Sequence, residues 1–422
     1  MAALSSSRLR VLALCGVPSL AHAELPLPTF PDCGEAHQPE LCPADLREEW
    51  AFISYVPALS EDTIQDSERD LGSGMWVDRA WRTSTGRTDV VVAIGDSGVD
   101  WSEYSVVRKY ALNAEELPVP QNADGEDASG HDANGDGVFN IVDYEADPRV
   151  DITAGVDDAD HMLDPSDLIH TFSDGVDDDG NGYTDDICGW DFFGRDNDAF
   201  HTYTGHDYGT HGDGVARKAA AEGGDGDGSI GVCPNCMILP VRLGDTFVTD
   251  GTRAAEGMVF AADSGAKAMS LAIGALTNPD VAVAASRYAY EQGLTLVGAA
   301  GDENAYHRNF PAMMADIIYV HSIRHDTTDD DVPATSYFNT WNCNNYGARM
   351  DVVAPASACA TGAVSNITGM VGLIHSAALD AGVELSAGEV RQIIRATVDD
   401  VHKSEADREE SEAYPSREGW DT

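Results

Sequence analysis

The apolar positions along the chain fall mostly in continuous runs, not alternating ones. Val90-Val91-Val92-Ala93-Ile94 empties into Gly95-Asp96-Ser97-Gly98, and comparable runs recur at Cys236–Val241, Ala268–Ile273, Leu294–Ala300 and Ile317–Val320. A strand apolar at successive positions is buried on both faces, as in a parallel sheet covered on both sides. Between these runs, Thr252–Ser264 and Val281–Gln292 carry helical patterning. Strands alternating with helices predict an α/β fold of three layers, a parallel sheet with helices on both faces. In such sheets the working side chains lie beyond the carboxyl ends of the strands.

Residues 121–200 break this rhythm. The stretch is dense in Asp, Gly and Asn, and its only fixed positive charges are Arg149 and Arg195. So few apolar residues predict an acidic insertion folded around metal ions. Asp132-Ala133-Asn134-Gly135-Asp136-Gly137 opens a loop that places side-chain oxygens at positions 1, 3, 5, 9 and 12, from Asp132, Asn134, Asp136, Asn140 and Asp143. Calcium takes about 6–8 oxygens, and a glycine at position 6 permits the sharp turn that wraps them around one ion. The loop resembles those of EF-hands and, more closely, of dockerins. A second loop supplies Asp177, Asp179 and Asn181 at positions 1, 3 and 5, with Asp185 or Asp186 to close the shell. The cofactor expected from both is structural Ca²⁺.

Charge narrows the partners. The chain has 73 Asp+Glu against 25 Lys+Arg, a formal net charge of −48. Such a field repels nucleic acid and anionic membrane and suits multivalent cations, a salty medium or plain solubility. A peptide or protein ligand is compatible with it; no membrane span is expected, and oligomeric state is not encoded. Residues 1–23 read as a secretory leader: Arg8 and Arg10, then an apolar Val11–Leu20, then Ala21-His22-Ala23. That pattern predicts a secreted or periplasmic protein. Cysteines agree with export, with local pairs Cys33–Cys42 and Cys343–Cys359 expected as disulfides. Cys233-Pro-Asn-Cys236 is either a tight disulfide or half of a zinc site, and Cys188 is the thiol expected to remain free. Residues 24–85 form an N-terminal extension, whether removable or not, and 401–422 a charged tail.

Three segments together resemble the subtilisin-like (S8) serine peptidases over roughly Trp81 to Val398. Val90–Asp100 resembles the D-[ST]-G strand and loop. Asp207–Gly214 resembles the H-G-T-H helix start. Cys359–Gly369 is similar to the G-T-S-M-A helix. Met269-Ser270-Leu271, Ala299–Glu303, and Asn345 through Pro355 resemble supporting segments. The resemblance implies a subtilisin-like domain over 86–400 and a substrate wall at Ser270, Leu271 and Ala272.

It also implies which residues stand at the catalytic positions. Asp96 is the orienter. Tyr208 falls at the base position, Thr361 at the nucleophile and Asp302 at the oxyanion donor. A phenol with a pKa near ~10 is no base at neutral pH. A carboxylate cannot donate to an oxyanion. Loss of the base or nucleophile from such a triad costs ~10⁶ in turnover. His211, about 60° around the helix from Tyr208, is expected to face away from Asp96 and make a structural contact. The implied protein is an inactive, calcium-stabilised pseudopeptidase. The alternatives are an active calcium-dependent endopeptidase using Thr361 and a relocated histidine, or a cell-surface binding module.

Overall fold

Seven parallel strands form the central sheet, in the order β2-β3-β1-β5-β7-β8-β9. The strands are β1 (Val91–Asp96), β2 (Trp190–Asp191), β3 (Met237–Arg242), β5 (Ala268–Leu271), β7 (Thr295–Ala299), β8 (Ile317–Ile323) and β9 (Val352–Pro355). A separate two-stranded ribbon pairs β4 (Val248–Thr249) with β6 (Gly274–Ala275). The computed structural model describes residues 29–30, 51–52, 54, 74–153, 155, 162–201, 209–223, 230–303, 305–323, 345, 349–356 and 358–398. The leader at 1–23, Cys33, Cys42, Tyr208, Cys343 and the tail at 401–422 lie outside those residues.

The predicted runs become strands because each is apolar toward both layers. On β1, Val92 and Ile94 join the core under α3 (His211–Ala220) and α6 (Ala360–Asp380). Ala93, between them, joins the core under α4 (Gly251–Asp263) and α5 (Asp280–Glu291). Helices therefore cover both faces, which is the predicted three-layer α/β architecture. By length and composition α6 could cross a bilayer, but most of it is buried inside the protein. It packs against α3 and strands β5, β7 and β8, the place of a core helix. A last helix, α7 (Ala387–Thr397), starts with a capping box between Ser386 and Glu389 and is fastened by Arg391, which bonds both oxygens of Asp351.

The sheet order sets the site. The strand that follows β1 in the sheet on one side is β3, and the one on the other side is β5. The chain leaves β1 toward β3 on one side and leaves β5 toward β7 on the other, so the connections diverge between β1 and β5, the position where such sheets carry their working residues. Asp96 is the last residue of β1.

Two expectations need correction or refinement. The insertion carries apolar anchors that its composition did not reveal. Ile141, Tyr144, Leu168 and Ile187 belong to the main apolar core, and a short helix, α2 (Pro165–Phe172), is capped by Asp164 and brings Phe172 5.7 Å from Tyr144. Composition hid these anchors because they are spaced singly among acidic residues. The N-terminal extension is also built in where it is described: Phe52 is fully buried in the same core, and the N–H of Val77, which opens the short helix α1 (Val77–Ala80), donates to its carbonyl.

Candidate active site

Asp96 Oδ1 lies 2.8 Å from His211 Nδ1. His211 is the first residue of α3, and its side chain is 17% exposed. This corrects the expectation that the base is missing and that His211 faces away. The H-G step of the helix start is His211-Gly212, not Tyr208-Gly209. The reason is steric. Gly212 passes so close to the loop after β1 that a Cβ there would run into the Gly98 carbonyl and stand 3.4 Å from Asp96 Cβ. Only a glycine allows the helix start to approach, and that approach delivers the preceding residue's ring to Asp96. His211-Gly212 is the only His-Gly dipeptide in the chain, a signal that could have found it.

Hydrogen bonds lock this corner. Ser97 N–H donates to Asp96 Oδ1 at 2.7 Å. Ser97 Oγ donates to the Gly209 carbonyl and accepts from Gly212 N–H. Arg242, at the end of β3, donates to the Ser97 carbonyl and forms a buried ion pair with Asp191 at 2.5 Å. The Phe247 ring lies 5.5 Å from that of His211. With Nδ1 committed to Asp96, Nε2 is the nitrogen left for proton exchange, the division of labour of a Ser-His-Asp relay.

The opposite side of the site is built by α6. Thr361 is its second residue, half-buried. The first N–H groups of a helix have no intrahelical acceptor, so they are available to a developing negative charge. Here Asp302, just beyond β7, takes one of them: its Oδ1 accepts from Ala360 N–H at 3.0 Å. Asn345 holds the Asp302 loop, donating its N–H to the Gly301 carbonyl and its amide to the Ala300 carbonyl. Desolvation raises the Asp302 pKa, against the Ala360 hydrogen bond and the His211 charge. Burial alone would lower that of His211. The Asp96 carboxylate, and after it Asp302 and Asp213, outweigh burial and raise it. Asp96, His211, Asp302 and the start of α6 thus form one electrostatic unit.

The side chains of Ser270, Leu271 and Ala272 are fully buried. The substrate wall that the resemblance implies at these three residues is thus covered in this structure, backbone included.

The acidic loops differ from each other. In the first, Asp132 accepts from Gly135 and Gly137 N–H, and Asp143 accepts from Ala133, Asn134 and Asn140 N–H. Asp136 and Asn140 accept from Val138 and Val142 N–H. In the second, Asp177 accepts from Gly180, Asn181 and Gly182 N–H. Gly137 and Gly182 share position 6 and both have positive φ, 86° and 96°, the conformation that position was expected to need. Ligand oxygens of Asp177 and Asp179 converge with one of Glu116 within 4.8 Å, the one group of three acidic or cation-binding side chains this close among the described residues. Spacing did not reveal Glu116, which comes from the segment ahead of the insertion. Asp186 stands beside this group, sharing the amides of Asn113 and Asn181 with Asp179. Burial pushes Asp186 up to about 7. Asp185 does not join: with φ 56° it turns to accept from Asp174 and Gly175 N–H.

Of the alternatives for Cys233 and Cys236, the disulfide is the one formed, and Cys188 is a buried free thiol. Cys359 is disulfide-bonded.

A parallel α/β sheet with an Asp–His pair at the end of its first core strand, facing a helix start that carries a hydroxyl, has the layout of a serine-type acyl-transfer site. The subtilase family profile, Peptidase S8, matches residues 87–414. The chain belongs to that family. It is 32% identical over 218 residues to thermitase from Thermoactinomyces vulgaris, spanning 50% of this chain and 72% of that one. It is 33% identical over 185 residues to a thermophilic serine proteinase from Bacillus sp. (strain AK1), spanning 43% of this chain and 41% of that protein. Among solved structures it is similar to sphericase, with 16% identity, a TM-score of 0.45 and coverage of 74% and 84%, and to a protease from Pseudoalteromonas arctica, with 21% identity, a TM-score of 0.45 and coverage of 78% and 88%.

Proposed function

We propose that this chain is a secreted, calcium-stabilised subtilase homologue that keeps the proton relay but has lost efficient acyl transfer, and that it acts by binding peptide or protein. The observation that carries this reading is the hydrogen bond from Ala360 N–H to the Asp302 carboxylate. Negative charge must develop at the start of α6 when a carbonyl is attacked. A carboxylate there repels that charge and offers no donor, and loss of such a donor costs about 10²–10³ in turnover. Thr361 adds a methyl group that crowds attack.

The Asp96–His211 hydrogen bond favours a second reading, a slow Thr361-dependent endopeptidase. In it, His211 Nε2 takes the Thr361 proton, the oxygen attacks the peptide carbonyl, and the same nitrogen returns the proton to the leaving amine. Fluorophosphonate labelling and casein cleavage separate the two. The first reading expects neither. The second expects both, and expects Thr361→Ala to abolish them.

Calcium fits the second acidic loop. Asp177 and Asp179 would hold the ion, supplying hard oxygen ligands, and the bound charge would offset the crowded carboxylates. The first loop, with Asp132, Asn134, Asp136, Asn140 and Asp143, would hold another. Bound ions stabilise by mass action, so chelation is expected to lower the unfolding midpoint; an unchanged midpoint rejects the calcium reading. The leader pattern of residues 1–23 supports export.

A further inference from the structure

We infer that Glu116 is a ligand of the cation site in the second loop, making that site a staple between the insertion and the segment that follows β1. This rests on the calcium reading of Asp177 and Asp179. Glu116 is only 5% exposed. Its Oε1 accepts from Asp178 and Asp179 N–H at 2.8 and 3.2 Å, which seats the carboxylate against the loop. Its Oε2 is buried with no hydrogen-bond partner. A buried carboxylate oxygen without a donor is costly, and this carboxylate has an oxygen within 4.8 Å of ligand oxygens of Asp177 and Asp179. A hard divalent cation supplies what that carboxylate lacks and offsets two of the three negative charges. Asn113, three residues earlier, reinforces the link: its amide donates to Asp179 and Asp186, and its backbone N–H to the Ile187 carbonyl. The ion would therefore tie the segment ahead of the insertion, Asn113–Glu116, to the insertion's later part, Asp177–Asp186.

Tb³⁺ binding to the chelator-stripped full chain tests this, read by luminescence excited through Trp190, which packs edge-on against Tyr183 of the loop at 5.1 Å. Asp179→Asn reports the loop itself and Glu115→Gln, an exposed neighbour, controls for net charge. Glu116→Gln is expected to weaken Tb³⁺ at least tenfold, and Glu115→Gln to leave it unchanged. If Glu116→Gln fails to fold, Glu116→Asp, which keeps the charge on a shorter arm, is expected to weaken binding as well. Wild-type affinity in the folded Glu116 variant, with binding lost in Asp179→Asn, overturns the role of Glu116 and leaves the calcium reading standing. No Tb³⁺ signal from the wild-type chain overturns both.

Discussion

His211 Nδ1 and Asp96 Oδ1 stand 2.8 Å apart at the carboxyl end of β1. The pair joins the end of β1 to the start of α3, alongside the Ser97 hydrogen bonds to Gly209 and Gly212. Asp96 and Asp302 both favour the charged imidazole. By NMR titration His211 is expected to titrate above the ordinary histidine value of 6.5, and Asp96→Asn is expected to lower it. Tyr208→Phe is expected to leave it in place. A titration insensitive to Asp96→Asn would show that the pair does not form in solution.

Gly212 and Gly214 lie two residues apart on α3 and predict opposite outcomes. A Cβ at Gly212 meets the Gly98 carbonyl, while one at Gly214 meets nothing within 4 Å. Gly212→Ala is expected to cost about 1–3 kcal/mol through overpacking. Gly214→Ala is expected to gain roughly 0.5–1 kcal/mol from helix propensity. Urea unfolding of the two variants checks the pair.

A second histidine bears on the same helix. His201 Nε2 lies 3.3 Å from Asp213 Oδ2 and 3.9 Å from Asp100 Oδ2, and Asp213 accepts from Asp100 N–H. Burial lowers the His201 pKa, but Asp213, with Asp100, more than offsets it and the net shift is upward. A histidine whose folded pKa is raised contributes stability fully below its unfolded value, about 6.5, and loses it as pH rises through the folded value. Thermal unfolding of His201→Gln should differ most from wild type at acid pH, and the gap should close on the alkaline side. A gap that widens with pH would contradict the assignment.

Lys109 is fully buried, and its Nζ has no hydrogen-bond partner. Burial pulls its pKa down to about 7, against the attraction of Glu222. Glu222 itself pairs with Arg108. The unfolded chain binds the extra proton between about 7 and ~10.4, so stability should rise with pH across that window. Lys109→Met is expected to stabilise by roughly 1–4 kcal/mol near pH 7 and by less at pH 10, as read by denaturant titration at the two pH values.

The continuous apolar runs made the sheet legible, since strands buried on both faces leave no alternation to misread. Asp96 was placed for the same reason: it ends such a run. The register of the α3 start was not, because Tyr208-Gly209-Thr210-His211 and His211-Gly212 both fit a short motif. What separates them is a backbone contact at Gly98, a residue more than a hundred positions away. Glu116 was hidden for a related reason. Loop spacing identifies ligands within a loop, whereas a ligand from another segment is defined by burial and an unpaired oxygen. Asp185 shows the converse, a residue with suitable spacing whose left-handed backbone turns it to other donors.

The central claim is that hydrolysis fails at Thr361 and Asp302 while the relay is whole. Casein or chromogenic peptide turnover, compared between the wild-type chain and the Thr361→Ser/Asp302→Asn double variant, tests it most directly. The expected result is background cleavage by the wild type and a gain of at least ~10²-fold in the variant, the size of one restored oxyanion donor. Robust cleavage by the wild type that Thr361→Ala abolishes, or a double variant that stays at background while folded, would contradict it.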